Sequence, residues 1–329
     1  MKYRFLRCAL SLLVASFVLS SEKSFGGDHQ GFPDRPITMV VPYPAGGIAD
    51  IGGRVLAKEL SVRLKQPVLV DNKAGGSGII GAEYVANAKP DGYTLLSAAT
   101  GTLVLAPLLR DKLSYSPNSF ENIYGTQVSP LMIAVRSDSP YKSAADVVAA
   151  AKKKPDAITF ATIGNGSIHH ILAELWQTEA GMKLMHVPYK GASPAFVDFL
   201  GGRIDVMIDY QMQLAPLHKD GKVRILAVAA PERVPALPDV PTFAEQGYKS
   251  VLAAAFGAIV APAGTPKPII KKIADAFDDM FKSPEVKKYI EDRGSLALAI
   301  SGDKLDAYLQ EEFSKAKKAI EQSKIKLDN

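Results

Sequence analysis

Serine, histidine and aspartate, the residue types of nucleophilic hydrolases, occur together in the second half of the sequence. Ser167 and His170 lie three residues apart at the start of a helical pattern, and Asp209 follows an apolar, strand-like run. These three side chains could serve as the nucleophile, the base and the orienting acid of a hydrolase. The Gly-x-Ser-x-Gly pattern is absent, however, and the spacing equally suits a serine that caps its own helix. We therefore predict a protein that is not an enzyme and keep the hydrolase as an alternative.

Three histidines, His169, His170 and His186, raise the question of a metal site. Adjacent side chains on a helix point about 100° apart, and the sequence has no His-x₃-His pair that would place two ligands on one face. The single cysteine, Cys8, lies in the N-terminal apolar run, so we expect neither a thiolate site nor a disulfide. The sequence therefore predicts no metal and no cofactor.

Two glycine-containing turns indicate a different chemistry, the binding of a small anion. In each of them an apolar, strand-like run stops at the turn and a helical pattern begins directly afterwards. The first turn contains Gly46 and Gly47, and the second contains Gly166 and Ser167. Free N–H groups at a helix N-terminus, together with the positive end of the helix dipole, favour a carboxylate. A tight turn without a ligand would need the same glycines, but the recurrence of the pattern favours an anion site.

A third glycine-rich stretch, at 76–81, contains Ser77 and matches the dinucleotide-binding fingerprint Gly-x-Gly-x-x-Gly in its letters. It does not follow the first strand, and the next strand ends in Thr100-Gly101 instead of an acidic residue for a ribose, so we expect no nucleotide. Ligands of open α/β sheets bind at the carboxyl ends of the strands. We therefore count Ser77, Thr100 and Gly101 as candidates for ligand contacts, with helix capping as the alternative for the hydroxyls.

The N-terminus has the pattern of an export signal. Three basic residues precede the apolar run Cys8–Leu19, and Ser20-Ser21 supplies small residues for cleavage, so we predict a signal peptide and leader at 1–26. Without the first 20 residues the net charge falls from +5 to +2, and no block of like charge remains. This argues against nucleic acid as a partner. We expect a periplasmic protein that acts as a monomer.

Alternating strand and helix patterns over the rest of the chain predict an α/β fold with two lobes. Each lobe is expected to be a mostly parallel sheet flanked by helices, because β–α–β units place their strands in parallel. We assign residues 27–125 and 245–329 to domain I and residues 126–244 to domain II. Strands at 122–130 and 245–256 would cross between the lobes and serve as the hinge.

Six motifs, in a fixed order, extend over essentially the whole mature chain. They are Pro42–Asp50, Pro90–Leu96, Gly166–Glu174, His186–Gly191, Leu237–Thr242 and Ala261–Pro266. Their order and spacing resemble the extracytoplasmic solute receptors of tripartite tricarboxylate transporters, the Bug-type family. The resemblance implies a periplasmic binding protein that captures a small carboxylate in a cleft between two lobes and delivers it to a membrane permease. A sensor lobe that signals from the same cleft is a further alternative.

The resemblance also implies which residues contact the ligand. The first lobe would use backbone groups, hydroxyls and bridging waters of its glycine loop, and the second would add polar side chains. Lys190 is the candidate cationic contact, with a solvated surface lysine as the alternative, and capping of the next helix is the alternative for Asp209. With the candidates named above, the predicted ligand-binding residues are Tyr43, Ala45, Gly46, Gly47, Ala49, Asp50, Ser77, Thr100, Gly101, Gly166, Ser167, His170, Tyr189, Lys190 and Asp209. Two positions depart from the family pattern: Ile48 replaces the usual Thr, and Phe256 replaces the usual Trp. The ligand's identity therefore does not transfer from the family.

Overall fold

The structure is a computed structural model that describes residues 31–251 and 253–323. The predicted signal peptide and leader lie outside the described residues and remain a prediction. From Pro33 onward the described chain belongs to one unit, in which strands and helices alternate. None of the described helices combines the length and the apolar character needed to cross a bilayer.

Ten strands and ten α-helices make up this part of the chain. Strands β1 to β10 are Ile37–Val41, Val68–Asn72, Thr94–Ala99, Phe120–Arg136, Thr159–Thr162, Met185–Pro188, Val206–Tyr210, Val223–Val228, Ala254–Pro262 and Leu296–Ser301. Helices α1 to α10 are Ile48–Leu64, Ile79–Ala86, Ala106–Leu109, Ala144–Lys153, Ile168–Ala180, Ala192–Leu200, Gln211–Lys219, Lys267–Met280, Pro284–Glu291 and Gly302–Ser323. A π-helical turn at Gly101–Leu105 leads into α3.

Most helices follow directly from the periodicity of their apolar residues. In α8, for example, Ile269, Ile273 and Phe277 recur at helical spacing, and all three are buried. The start of α4 is fixed by a capping box, in which Ser143 accepts the Asp146 N–H and the Asp146 carboxylate accepts the Ser143 N–H.

The sheet has two halves, which we call the first and the second lobe. In the first lobe β1 pairs in parallel with β2 and with β3, and β3 then pairs antiparallel with β9. In the second lobe β5 pairs in parallel with β6 and β7. The parallel pairs are those joined by helical crossovers, as the alternation of elements predicts.

Strand β4 belongs to both lobes. Its residues Phe120 to Pro130 pair with β9, and its residues Leu131 to Arg136 pair with β7 and β8. All these pairings are antiparallel, as is that of β4 with β10, so the expected mostly parallel sheets are mixed where they meet β4. The reason is that β4 leaves the first lobe and β9 returns to it in the opposite direction, after Val251 and Ala253 in the core of the second lobe. Strand β4 changes partners between Pro130 and Leu131, at the end of the segment 122–130. The hinge and the domain boundaries stay a prediction.

The core of the second lobe packs around Trp176, Phe160 and Phe243, which are fully buried between α5 and the sheet. The apolar cluster of the first lobe includes Ile171 of α5 and Ala319 of α10. Helix α5 therefore uses one face for its own lobe and another for the C-terminal helix. Because the loop before α5 lies at the carboxyl end of β5, this packing fixes the position of the second candidate turn.

Candidate functional site

The loop between β1 and α1 is held in place by Asp50. This carboxylate is 3% exposed, and it accepts hydrogen bonds from the Gly46 N–H at 2.8 Å and from the Asn72 side-chain amide at 2.9 Å. Two nitrogens of Arg54 each lie 3.0 Å from an Asp50 oxygen. The hydrogen bond from Arg54, followed by those from Gly46 and Asn72, lowers the pKa of Asp50 to about 2. Asp50 therefore shapes the loop, and a direct contact with ligand stays a prediction.

The N-terminus of α1 is open where this loop enters the helix. Gly47 is the N-cap residue, and no side chain of the described residues caps the first turn. Ala45, Gly46 and Gly47 are exposed, and Ala49 is partly exposed. The N–H groups of a first helical turn have no partners within the helix. Here they are available to solvent or to an anion, as the sequence predicts.

Tyr43 brings the three loops of the first lobe together. A Cβ atom added to Gly78 or to Gly101 would lie 3.4 Å or 3.6 Å from the Tyr43 hydroxyl oxygen. At Gly78 the same atom would also meet the Thr102 methyl group at 2.7 Å, and φ is +98°, so this position requires glycine. Burial raises the pKa of Tyr43, so its hydroxyl keeps its proton and can donate a hydrogen bond.

The two hydroxyl residues predicted in this lobe have different surroundings. Ser77 is exposed, with a φ of +58°. Thr100 is buried, and its hydroxyl oxygen accepts the Phe256 N–H at 2.8 Å, which joins the end of β3 to β9. Thr100 also lines a cavity of about 250 Å³ together with Ile168, the first residue of α5. The loop after β3 and the start of α5 thus lie next to each other.

The second candidate loop precedes α5 and is closed by Ser167. The Ser167 hydroxyl donates to the Gly164 carbonyl at 2.7 Å and accepts the His170 N–H at 3.3 Å. The Gly166 N–H donates to Nδ1 of the His170 ring at 3.2 Å. Ser167 is therefore the N-cap of α5, which is the capping alternative considered above.

The predicted hydrolase residues do not form a relay in the described part of the chain. The Ser167 hydroxyl contacts backbone groups, and Nδ1 of His170 is taken by a backbone N–H. Nε2 of His170 lies 3.6 Å from Glu174 Oε1. Asp209 faces His169 instead, with 3.8 Å between Oδ1 and Nε2. A Ser–His–Asp arrangement needs all three groups in one hydrogen-bonded chain.

The His170 ring stacks on His186, with 4.1 Å between ring centroids, and His186 stacks in turn on Phe160 at 4.8 Å. The Thr162 hydroxyl lies 2.7 Å from Nε2 of His186. Burial, with a smaller contribution from the charge of His170, lowers the pKa of His186 to about 4. His186 is therefore a neutral ring at pH 7. No cluster of side chains suited to holding a metal ion is found among the described residues.

Asp209 lies at the end of β7 and is 2% exposed. Its Oδ1 accepts the Tyr210 N–H at 2.7 Å, and the Tyr210 ring meets the His169 ring edge-on at 5.1 Å. Burial raises the pKa of Tyr210, and the charges of Asp209 and Tyr43 raise it further.

Comparison with known proteins identifies the family. Residues 53–325 match the family described as tripartite tricarboxylate transporter family receptor. The chain belongs to this family. The periplasmic binding protein BugD is 32% identical, with a TM-score of 0.75 over 90% of this chain and 99% of BugD. An R. palustris protein solved with adipate is 29% identical, with a TM-score of 0.79 over 90% and 99%. MatC from Rhodopseudomonas palustris, solved with bound malate, is 31% identical, with a TM-score of 0.74 over 88% and 100%.

These likenesses confirm the Bug-type family and the two-lobed binding-protein fold that the sequence predicts. The chain is a solute-binding receptor of the tripartite tricarboxylate transporter type, and the family consists of receptors, not enzymes. The residues that contact a ligand stay predictions for this chain.

Two further predicted contacts of the receptor lie after β6. The Tyr189 hydroxyl donates to Asp198 Oδ2 at 2.8 Å, and Arg203 holds the other oxygen of Asp198 at 2.7 Å. Lys190 is exposed, and its ammonium makes no ion pair with the described residues. Tyr189 is thus tied to its own lobe, whereas Lys190 is available to an anion.

Sequence reasoning missed several residues that shape the receptor's site. Arg54 and Asn72 hold Asp50 in place, and Tyr210 lies against His169 and Asp209. Arg54 could have been found from its i, i+4 spacing to Asp50 on one helix. Asn72 and Tyr210 carry no local pattern, because their partners lie far away in sequence.

Proposed function

We propose that the receptor captures a small carboxylate in the periplasm, between the loops before α1 and α5, and delivers it to the permease of a tripartite transporter. The uncapped first turn of α1 carries this proposal, since its N–H groups lack side-chain partners in the described chain. Adipate and malate, present in the two solved relatives, are both dicarboxylates and support this ligand class.

In this proposal the carboxylate oxygens accept hydrogen bonds from the first-turn N–H groups of α1 and from the Tyr43 hydroxyl. Tyr210 and the loop of Gly166 and Ser167 approach from the second lobe as the two halves turn about β4 and β9. Closure removes water from the carboxylate and strengthens each of these hydrogen bonds. Lys190, exposed beside the second loop, adds a positive charge.

The decisive experiment removes one N–H group and leaves the helix intact. Gly47 has φ −78° and ψ 169°, an extended conformation that suits the residue before a proline, so Ile48→Pro fits the first position of α1. Ile48→Ala is the matched control, because it changes the same side chain and keeps the N–H. Loss of a hydrogen bond to a charged group costs about 1.5–3 kcal/mol, so we expect Ile48→Pro to weaken carboxylate binding roughly tenfold or more relative to Ile48→Ala. Equal affinity in the two variants, measured by calorimetry, would overturn the proposal.

The ligand itself is found by thermal-shift screening of mono-, di- and tricarboxylates against their amides and against neutral sugars. A ligand at 100 times its dissociation constant adds about 2.7 kcal/mol. For a chain of this size that corresponds to roughly 4 °C in the unfolding midpoint. A shift with a sugar and with no acid contradicts the carboxylate assignment.

Export, assembly and the permease partner also belong to the proposal. Mass spectrometry of the protein recovered from the periplasm should show a mature N-terminus soon after Ser20-Ser21. Light scattering should show a monomer. Transport of the identified acid should require both the receptor and permease subunits, whereas recovery of a signalling protein in a pull-down would favour the sensor alternative.

A further inference from the structure

Each of the two loops contains an equivalent hydrogen bond, in which the N–H of a glycine donates to a side chain of the helix that follows. In α1, Asp50 Oδ2 accepts the Gly46 N–H at 2.8 Å. In α5, His170 Nδ1 accepts the Gly166 N–H at 3.2 Å. Each acceptor is the third residue of its helix, and each donor directly precedes the N-cap residue. A capping box joins the third residue to the N-cap N–H instead, so both loops have the same variant, displaced by one residue.

We propose that Asp50 and His170 are equivalent positioning residues, one for each lobe, and that only the second loop is released by protonation. The consequence for ligand rests on the proposed function, because the two loops are the proposed carboxylate site. The Gly46 and Gly166 N–H groups are taken by these side chains, so neither Asp50 nor His170 needs to touch the ligand to affect its binding.

The difference between the loops lies in the chemistry of the two acceptors. A carboxylate accepts in its charged form, and the pKa of Asp50 is lowered to about 2, so its bond to the Gly46 N–H persists between pH 7.5 and pH 5. An imidazole nitrogen accepts only when it carries no proton, and both nitrogens of a protonated ring are donors. Protonation of His170 therefore places an N–H group at Nδ1 opposite the Gly166 N–H, and two donors cannot form a hydrogen bond with each other.

The groups around His170 determine which nitrogen accepts. Glu174, one turn further along α5, faces Nε2 at 3.6 Å and favours a proton there, which leaves Nδ1 free for Gly166. His186 of β6 stacks on the ring at 4.1 Å, and its pKa, lowered to about 4, keeps it neutral between pH 7.5 and pH 5. The charge of a protonated His170 is then balanced by Glu174, and the main effect of the proton is the loss of the bond to Gly166.

The loop itself is tested without any ligand, by NMR measurement of amide hydrogen exchange at pH 7.5 and pH 5. After correction for intrinsic rates, protection of the Gly166 amide should fall about tenfold at pH 5, the equivalent of one hydrogen bond, while that of Gly46 stays constant. His170→Asn places an amide oxygen near the position of Nδ1 and should keep Gly166 protected at both pH values. His170→Leu should leave it unprotected at both. Equal pH responses of Gly46 and Gly166, or full protection in His170→Leu, would refute the proposal.

The consequence for binding uses malate, adipate and the best carboxylate from the thermal-shift panel as probes. Because the dicarboxylates themselves take up protons near pH 5, the variant is the reference: from pH 7.5 to pH 5 the wild-type dissociation constant should rise several-fold more than that of His170→Asn. A wild-type affinity that rises on acidification contradicts release of the loop. If no acid binds the wild type, the proposed function fails, and the exchange experiment still decides the role of His170.

Discussion

Gly81 offers a quantitative test of how the first lobe's loop is positioned. It lies in α2, facing the loop after β1, and a Cβ atom there would be 2.6 Å from Pro42 Cβ, 2.9 Å from Pro42 Cα and 3.0 Å from the Lys73 carbonyl oxygen. Two of these atoms are backbone, so they cannot move aside independently. Gly81→Ala must therefore push α2 away from the residue that precedes Tyr43.

The matched control is Gly52→Ala, which makes the same chemical change in α1, where nothing lies within 4 Å of the added atom. Alanine is favoured over glycine in a helix by about 1 kcal/mol, and this gain is common to both variants. Overpacking costs about 1–3 kcal/mol, and only Gly81→Ala incurs it. The difference between the two unfolding free energies thus isolates the contact with Pro42.

We expect Gly52→Ala to be slightly stabilised and Gly81→Ala to unfold at a midpoint roughly 3 °C lower than the control, taking about 2 kcal/mol for the contact. Carboxylate affinity should fall in Gly81→Ala and remain unchanged in Gly52→Ala, because only the former displaces the loop. Differential scanning calorimetry and titration calorimetry measure the two effects. Equal midpoints for the two variants would refute the close approach of α2 to the loop.

Three further predictions follow from the same structure. The lowered pKa of Asp50 contributes stability that is present above pH 3.8 and is lost as pH falls through about 2. In Asp50→Asn the unfolding free energy should therefore decline less steeply over this pH range. Urea unfolding at a series of pH values measures the difference. The ring of His186 should titrate near pH 4 by NMR, with stability lost as pH falls from 6.5 towards 4, and a midpoint near 6.5 would contradict its burial. Gly294→Ala should unfold more easily than Gly264→Ala by about 1–3 kcal/mol, since both have positive φ but only the former meets Gln211, at 2.6 Å.

The parts of the fold that depend on neighbouring residues could be predicted from sequence. The strand that ends at Val41, the glycine turn and the helix that starts at Ile48 are as expected, because apolar periodicity and turn chemistry are local. The parts that depend on distant residues could not. Thr100 bonds a backbone N–H 156 residues away, and β10 at Leu296–Ser301 was missed because its short, partly exposed strand is stabilised by pairing with β4.

Sequence also cannot determine whether a candidate residue contacts the ligand or holds its own loop. Family resemblance predicts that Asp50 and His170 contact the ligand. In the structure both lie in the first turn of a helix, and each accepts a hydrogen bond from the N–H of a glycine in the preceding loop. A residue type compatible with ligand binding was in each case also compatible with holding the loop, and only geometry separates the two.

The two loops have equivalent hydrogen bonds from a glycine N–H to the following helix, but they differ in how many N–H groups of the first helical turn remain without a partner. In the first, the N-cap is Gly47 and the helix N-terminus has no side-chain cap, whereas in the second Ser167 already satisfies the His170 N–H. An anion therefore finds unpaired donors mainly at α1, and we expect it to bind there first. In the proposed function the second lobe then closes over the anion, and we expect retention to depend on the loop in which the Gly166 N–H bonds to the His170 ring. Because capture depends on one lobe and retention on the other, a variant of α1 should slow association with carboxylate, and a variant of His170 should speed dissociation.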